Sequence, residues 1–260
     1  MLKKIYNWSS SWTGTIVIVL TIIFFVAQAF VIPSGSMKNT LLIGDMLFVK
    51  KFAYGVPTPT IPWIEVKVLP DFKGNGHLIE GERPKRGDIV VFRYPHDPDI
   101  HYVKRAVATS GDTIFLKNKI LYLHPKEGND FVKTEFKDYE TIDIDGKLFV
   151  VSPYEKEHKG IHNDSNVTRN LIAPKELFDM QEIVIPEDET FMMGDNRDHS
   201  NDSRFWGSVP YKYIVGKPWF IYFSWDDDYK IRWDRVFRTI ESLEKDIDTT
   251  AEIKHEEGIY

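Results

Sequence analysis

Gly87-Asp88-Ile89-Val90-Val91-Phe92 places a turn signal before an unbroken run of β-branched and aromatic residues, which reads as a strand beginning at Ile89. Downstream, residues 102–108 alternate around Lys104, Gly111-Asp112 signals a turn, and residues 113–116 read as a further strand. Upstream, residues 41–49 form a short apolar segment closed by Lys50 and Lys51. Strand character returns at residues 189–193 and 214–224, and long helical periods are scarce. The expected fold is mainly β: an antiparallel sheet with an inserted, smaller β-rich subdomain.

The remaining segments set the organisation. Residues 13–32 form an apolar run without charge, with Gln28 its strongest polar member; as a helix it would cover the ~30 Å hydrocarbon core of a bilayer. Lys3 and Lys4 precede it and Trp8 and Trp12 flank it, which favours a cytoplasmic N-terminus over residues 1–12 and an exported body. Ala27-Gln28-Ala29 has the small-x-small form of a secretory cleavage site, but the apolar character continues through Ile32, so a retained single-pass anchor is expected. The body divides into a first part of the β domain at 33–116, an insertion at 117–185 enriched in Lys, Glu, Asp and Asn, a second part at 186–225, and a charged tail at 226–260. In the tail, Val236, Phe237, Ile240 and Leu243 fall at helical spacing, followed by an end expected to be disordered.

Composition excludes several function classes. The 260 residues carry a net charge of -6 with both signs mixed, which offers no basic field for nucleic acid. There are no cysteines, hence no disulfide framework, thiol nucleophile or thiolate metal site. Asp143-Ile144-Asp145-Gly146 fails as a calcium loop because the required ligand positions fall on Thr141 and Ser152. Asn166-Val167-Thr168 has the form of a glycosylation acceptor and is expected to be exposed. No metal or cofactor is implied.

Pro33-Ser34-Gly35-Ser36-Met37 follows directly on the apolar run and offers a serine nucleophile at a membrane surface. A serine hydroxyl needs a base. The histidines sit in no triad context, whereas Lys104 lies among Val103, Ala106, Val107 and Ala108 in a segment able to enter a core. Desolvation would then favour the neutral amine, a competent general base. Gly35 allows close approach of a substrate backbone, and the Ser34 hydroxyl with the Ser36 amide could form an oxyanion-binding pair. The segment from Gly194 to Arg204 carries Asp195, Arg197, Asp198, Asp202 and Arg204, a charge pattern suited to a self-contained ion-pair scaffold that could orient Ser200 toward the lysine.

In this order, the anchor, Ser34-Gly35-Ser36-Met37, Arg86-Gly87-Asp88-Ile89-Val90-Val91-Phe92, Lys104-Arg105-Ala106, and Gly194-Asp195-Asn196-Arg197 with Asp202-Ser203-Arg204 closely resemble bacterial type I signal peptidases. The resemblance covers about residues 30–112 and 186–220. It implies a single-pass serine endopeptidase of the bacterial cytoplasmic (inner) membrane, its catalytic domain on the extracytoplasmic side, that removes signal peptides after small-x-small sites. Residue by residue it implies Ser36 as nucleophile, Lys104 as general base, Ser34 as oxyanion donor, Ser200 as the serine that orients the lysine, and Asp202 and Arg204 as its support. Phe30, Ile32, Leu47, Val91 and Val103 would line shallow apolar pockets for the small substrate residues. His199 stands where the family more often has Asn. The partners implied are signal-peptide-bearing preproteins and the phospholipid membrane, with a monomer expected. Two other readings remain: a membrane-anchored β-sheet module that grips exported chains without cutting them, and a soluble Ser/His hydrolase released after Ala29.

Overall fold

The computed structural model describes residues 2–61, 66 and 68–247. The strands, in chain order, are β1 (Ala27–Val31), β2 (Asp45–Lys50), β3 (Gly55–Pro57), β4 (His77–Glu80), β5 (Ile89–Tyr94), β6 (Asp97–Thr109), β7 (Thr113–Lys117), β8 (Ile120–His124), β9 (Thr141–Ile144), β10 (Lys147–Val151), β11 (Met180–Val184), β12 (Glu189–Met193), β13 (Val209–Pro210) and β14 (Ile214–Ser224). A seven-stranded sheet runs β1-β2-β14-β5-β6-β12-β13, a five-stranded sheet runs β11-β7-β8-β10-β9, and β3 and β4 form a ribbon. Every pairing of these strands is antiparallel. The protein is mainly β.

The unbroken apolar run of β5 has a simple cause: both of its faces are covered. Ile89 and Val91 enter a core with Leu47, Val49 and Ile221, while Val90 and Phe92 enter a second core with Tyr54, Met192 and Tyr211. A strand buried on both sides has no use for polar alternation. The third core joins the two larger sheets, with Val107, Ala108, Phe191 and Met193 of the first packed against Ile114, Leu121 and Leu123 of the second. β7 already belongs to the five-stranded sheet, so that unit opens at Thr113, four residues ahead of the compositional change at 117. The rejected calcium-like segment is the tight turn of the β9–β10 hairpin, where Asp143 Oδ1 accepts the Gly146 amide at 2.9 Å. Asn166 is exposed.

Two expectations are corrected. The run 13–32 is not one helix: after α1 (Leu2–Ser9), α2 covers Trp12–Thr21, a π-helical turn follows at Ile22–Val26, and Ala27–Val31 is strand β1. The strand forms because β2 supplies backbone partners from Ala27↔Lys50 to Val31↔Met46. Among the described residues no helix is long and apolar enough to cross a membrane. The next helices after α2 are α3 (Asn129–Glu135) and α4 (Ser203–Trp206); in the C-terminal segment Val236 and Phe237 lie in a turn, and helix α5 covers only Ile240–Lys245. Phe237 sits at φ 61°, its amide taken by the Ile221 carbonyl at 2.7 Å, and Thr239 caps α5 by accepting the Ser242 amide. The tail expected to be disordered, from 248 onward, lies outside the described residues.

Leu123 is fully buried in the core between the two sheets, so Leu123→Ala should destabilise the protein by about 2–5 kcal/mol in urea unfolding. A loss below about 0.5 kcal/mol, the level of an ordinary surface substitution, would contradict a close-packed junction.

Candidate active site

β1 delivers the chain to the site. Ile32 continues its pairing, donating to the Asp45 carbonyl at 2.9 Å and accepting from the Gly44 amide at 3.0 Å. Gly44 holds φ 86° with the Trp225 carbonyl where a Cβ would point, so no side chain fits there. After Pro33 the backbone tightens into a 3₁₀ turn, Gly35–Met37, with Ser36 and Met37 buried.

Lys104 lies mid-strand in β6, opposite Val90 of β5, and its neighbour Arg105 is opposite Met193 at the end of β12. It is 4% exposed, and its Nζ donates to Ser36 Oγ. Burial pushes the Lys104 pKa down to about 8, against the nearby carboxylates of Asp202 and Asp195, which favour the ammonium. Ser34 Oγ lies 3.5 Å from Ser36 Oγ, on the exposed side. The residues proposed from sequence as nucleophile and base thus meet, with the oxyanion candidate beside them. The side chains that meet Ser36 Oγ are those of Lys104 and Ser34, the contacts that a Ser/Lys reading requires.

The segment from Gly194 to Arg204 forms the wall behind them. The Asn196 amide donates to the Ser36 carbonyl at 3.1 Å, and its side-chain Nδ2 donates to the Gly35 carbonyl at 3.0 Å, so one residue clamps the nucleophile's turn twice. Asp195, fully buried, accepts a two-pronged bond from Arg105 (Nε to Oδ1 2.8 Å, Nη2 to Oδ2 2.7 Å) and the Thr40 hydroxyl at 2.6 Å. Burial alone would raise its pKa, but the Arg105 charge and these hydrogen bonds hold it below the usual carboxylate value. Asp202 is likewise fully buried, taking Arg204 Nε and Nη2 at 2.8 and 2.9 Å and the Gly194 amide at 3.0 Å. Its pKa is lowered too: burial would raise it, but the Arg204 charge, the hydrogen bonds from Arg204 and the Gly194 amide, and the nearby Ser200 hydroxyl together outweigh that. Gly194 is wedged between the Ser200 hydroxyl and the Ser36 carbonyl, leaving no room for a Cβ. Ser200 Oγ is buried beside Gly194 and close enough to Asp202 to help lower that carboxylate's pKa, and it makes no bond to Lys104.

A groove of about 1080 Å³ opens over Ser36 and Lys104. Phe30, Ile32 and Val103 line it as expected. Leu47 and Val91 do not: both are fully buried in the core one layer behind, packed with Ile32 and against Phe30 and Val103. Register explains this: Leu47 is paired with Phe30 and Val91 with Val103, so they share the face of those groove residues but lie one strand further in and are covered by them. Sequence reasoning missed Tyr102, Met37, Asn196 and the loop residues His162 and Asp164, which also line it. Asn196 stood within the quoted motif, but nothing in its type announced a clamp on residues 35 and 36. The loop came from the insertion, whose placement the sequence did not reveal; the His162 amide donates to the Asp195 carbonyl at 2.9 Å and the Arg197 amide to the His162 carbonyl at 3.0 Å. Among the described residues no group of acidic and histidine side chains could hold a metal ion.

The family model described as "Signal peptidase, peptidase S26" matches residues 5–225. A signal peptidase I of Helicobacter pylori (strain J99) is 50% identical, covering 94% of this chain and 96% of that protein. A signal peptidase I of Pseudomonas aeruginosa (strain PAO1) is 36% identical, covering 85% of this chain and 73% of that protein. A crystal structure of a signal peptidase I from Enterococcus faecalis V583 aligns with a TM-score of 0.32 at 24% identity, over 52% of this chain and 97% of that one, a likeness too loose to bear on the fold.

Asp195→Ala would leave the Arg105 guanidinium buried and short of its principal partner. The expected cost is about 3–5 kcal/mol in denaturant unfolding, and a loss under about 1 kcal/mol would show that Arg105 does not depend on this carboxylate.

Proposed function

The chain belongs to the signal peptidase, peptidase S26 family, and we infer from that membership that it cleaves N-terminal signal peptides from exported preproteins, with Ser36 as nucleophile and Lys104 as general base. The observation that carries the assignment is the contact of a buried lysine amine with the Ser36 hydroxyl. In the neutral amine the same contact reverses, the hydroxyl donating to the Nζ lone pair. Ser36 Oγ then attacks the carbonyl at the cut as its proton passes to Lys104. The Ser34 hydroxyl, 3.5 Å from Ser36 Oγ, is in range of the oxyanion that forms. On collapse the Lys104 ammonium returns its proton to the departing amine of the mature protein, and water, activated by the regenerated amine, releases the signal peptide from Ser36.

Two edges offer register to an extended substrate. Among the described residues β1 pairs only with β2, and the part of β6 before Lys104 only with β5; both border the groove. A strand laid between them would receive backbone hydrogen bonds and present alternate side chains to the walls. Phe30, Ile32 and Val103 would limit those side chains to small ones by steric exclusion. Ser200 and the Asp202–Arg204 pair act as support: they pack against and hold Gly194, and through it the Ser36 carbonyl.

Anchoring to the bacterial inner membrane is supported by the exposed apolar side chains of Ile16, Val17, Val19 and Leu20 on α2, and by the short path from α2 through β1 to Ser36, which would hold the site near the bilayer surface. The body would lie on the extracytoplasmic side, as a monomer. A binding module that never cuts has no need of a serine–lysine contact and is not favoured.

Ser36→Ala and Lys104→Ala should each lower kcat/KM by at least about 10³-fold on a preprotein peptide with alanine at the first and third positions before the cut. Mass spectrometry of the product should place the new N-terminus after the small residue. Wild-type-like cutting by the Lys104 variant would overturn the base assignment. Gly194→Ala should displace the Ser36 carbonyl and lower kcat by more than about tenfold while circular dichroism stays native; full activity would show that this close approach is unimportant.

A further inference from the structure

The segment beyond Trp225 lies outside the region matched by the family model, and its sequence spacing pointed only to a terminal helix. It nevertheless reaches back to the support of Ser36 at two points. Arg235 forks onto Asp45 (Nε to Oδ1 3.0 Å, Nη2 to Oδ2 2.7 Å) and donates from Nη2 to the Thr40 carbonyl at 3.0 Å. Thr40 is the residue whose hydroxyl donates to Asp195. Glu244, on α5, accepts Arg105 Nη2 at 2.6 Å and His158 Nδ1 at 2.9 Å on the same oxygen, Oε1. Arg105 is the other side chain that holds Asp195. Both partners of that carboxylate are therefore themselves held by the C-terminal segment. Ile240 and Leu243 seat α5 in the same core as Ile32, which precedes the nucleophile's turn, and Met37, which ends it.

We propose that Glu244 is a positioning residue of the catalytic site: α5 fixes Arg105, Arg105 fixes Asp195, and the adjoining Asn196 fixes the turn that carries Ser36. This rests on the assignment of Ser36 as nucleophile. Arg105 is fully buried, and its Nη2 is shared between Asp195 and Glu244. Without Glu244 the guanidinium keeps Asp195 and the Gly87 carbonyl (Nη1, 2.7 Å) but loses the acceptor that opposes the pull of Asp195, and the resulting shift reaches the Ser36 turn through the two Asn196 hydrogen bonds. Misplacement of a reacting group by about 1 Å costs up to about a hundredfold in rate. The effect belongs in kcat, since Glu244 does not line the groove.

Reach and charge are separable at this position. Glu244→Gln keeps an acceptor oxygen at the same distance and loses the charge; Glu244→Asp keeps the charge and falls short of Arg105. Steady-state cleavage of a preprotein peptide by the full-length chain in detergent should show Gln within about threefold of wild type in kcat, Asp lowered about tenfold, and KM within about twofold in both. Glu244→Ala should lose at least as much as Asp. An Asp variant as active as Gln, a loss confined to KM, or a loss that follows the unfolded fraction measured by thermal melting would overturn the proposal. Ser36→Ala in the same assay separates the two readings: if it cuts like wild type, the nucleophile assignment has failed, whatever Glu244 does.

Discussion

Withdrawing the Lys104 amine from water is the constraint on which the rest of the site depends. A lysine in solvent holds its proton near pH 10.4 and is useless as a base at neutral pH. At 4% exposure, with its pKa brought down to about 8, the ammonium is disfavoured by about 3 kcal/mol, and the free amine becomes accessible close to physiological pH. The sign for stability follows. The folded state binds the proton less tightly than the unfolded chain, so this cost is present in full below about pH 8 and is relieved as pH rises toward the ordinary lysine value.

Making the neutral amine accessible while surrounding it with charge requires that the other charges be satisfied by one another. Asp195 is satisfied by Arg105 and Thr40, and Asp202 by Arg204 and the Gly194 amide. Each carboxylate still favours the lysine ammonium, and burial prevails over both. Buried ion pairs of this kind contribute little net stability, because desolvation offsets their attraction. Their value here is geometric: they fix the backbone from Gly194 to Asn196, which grips the carbonyls of Gly35 and Ser36. Rigidity at the nucleophile thus comes from polar side chains on β6, the loop after β12, the insertion and α5, segments distant in sequence.

Much of this was legible from residue types alone, for physical reasons. β12 and β14 have the bounds their β-branched and aromatic runs suggest, because packing on a pleated surface selects those residues. Ser36, Lys104 and Ser34 were recognisable because each has few chemical uses in such a setting. The helix over 13–32 was misjudged at its end: hydropathy is the same for a span and for a buried strand, and only the pairing of β1 with β2 separates them. Leu47 and Val91 share a face with the groove residues Phe30 and Val103 but are covered by them, and which strand lies at the groove and which behind it is a matter of strand order, a long-range property. Asn196, His162 and Glu244 went unnoticed because their roles consist of contacts to residues far along the chain.

The most direct test is to titrate the Lys104 amine itself. In full-length protein carrying ¹³Cε-labelled lysine, with the resonance assigned by Lys104→Arg, the ε-carbon shift should follow a midpoint near pH 8 while the remaining lysines titrate above 10. A Lys104 midpoint among those of the other lysines would mean that burial does not lower its pKa and that almost no neutral amine exists near neutral pH, and the proposed dyad would lose its base.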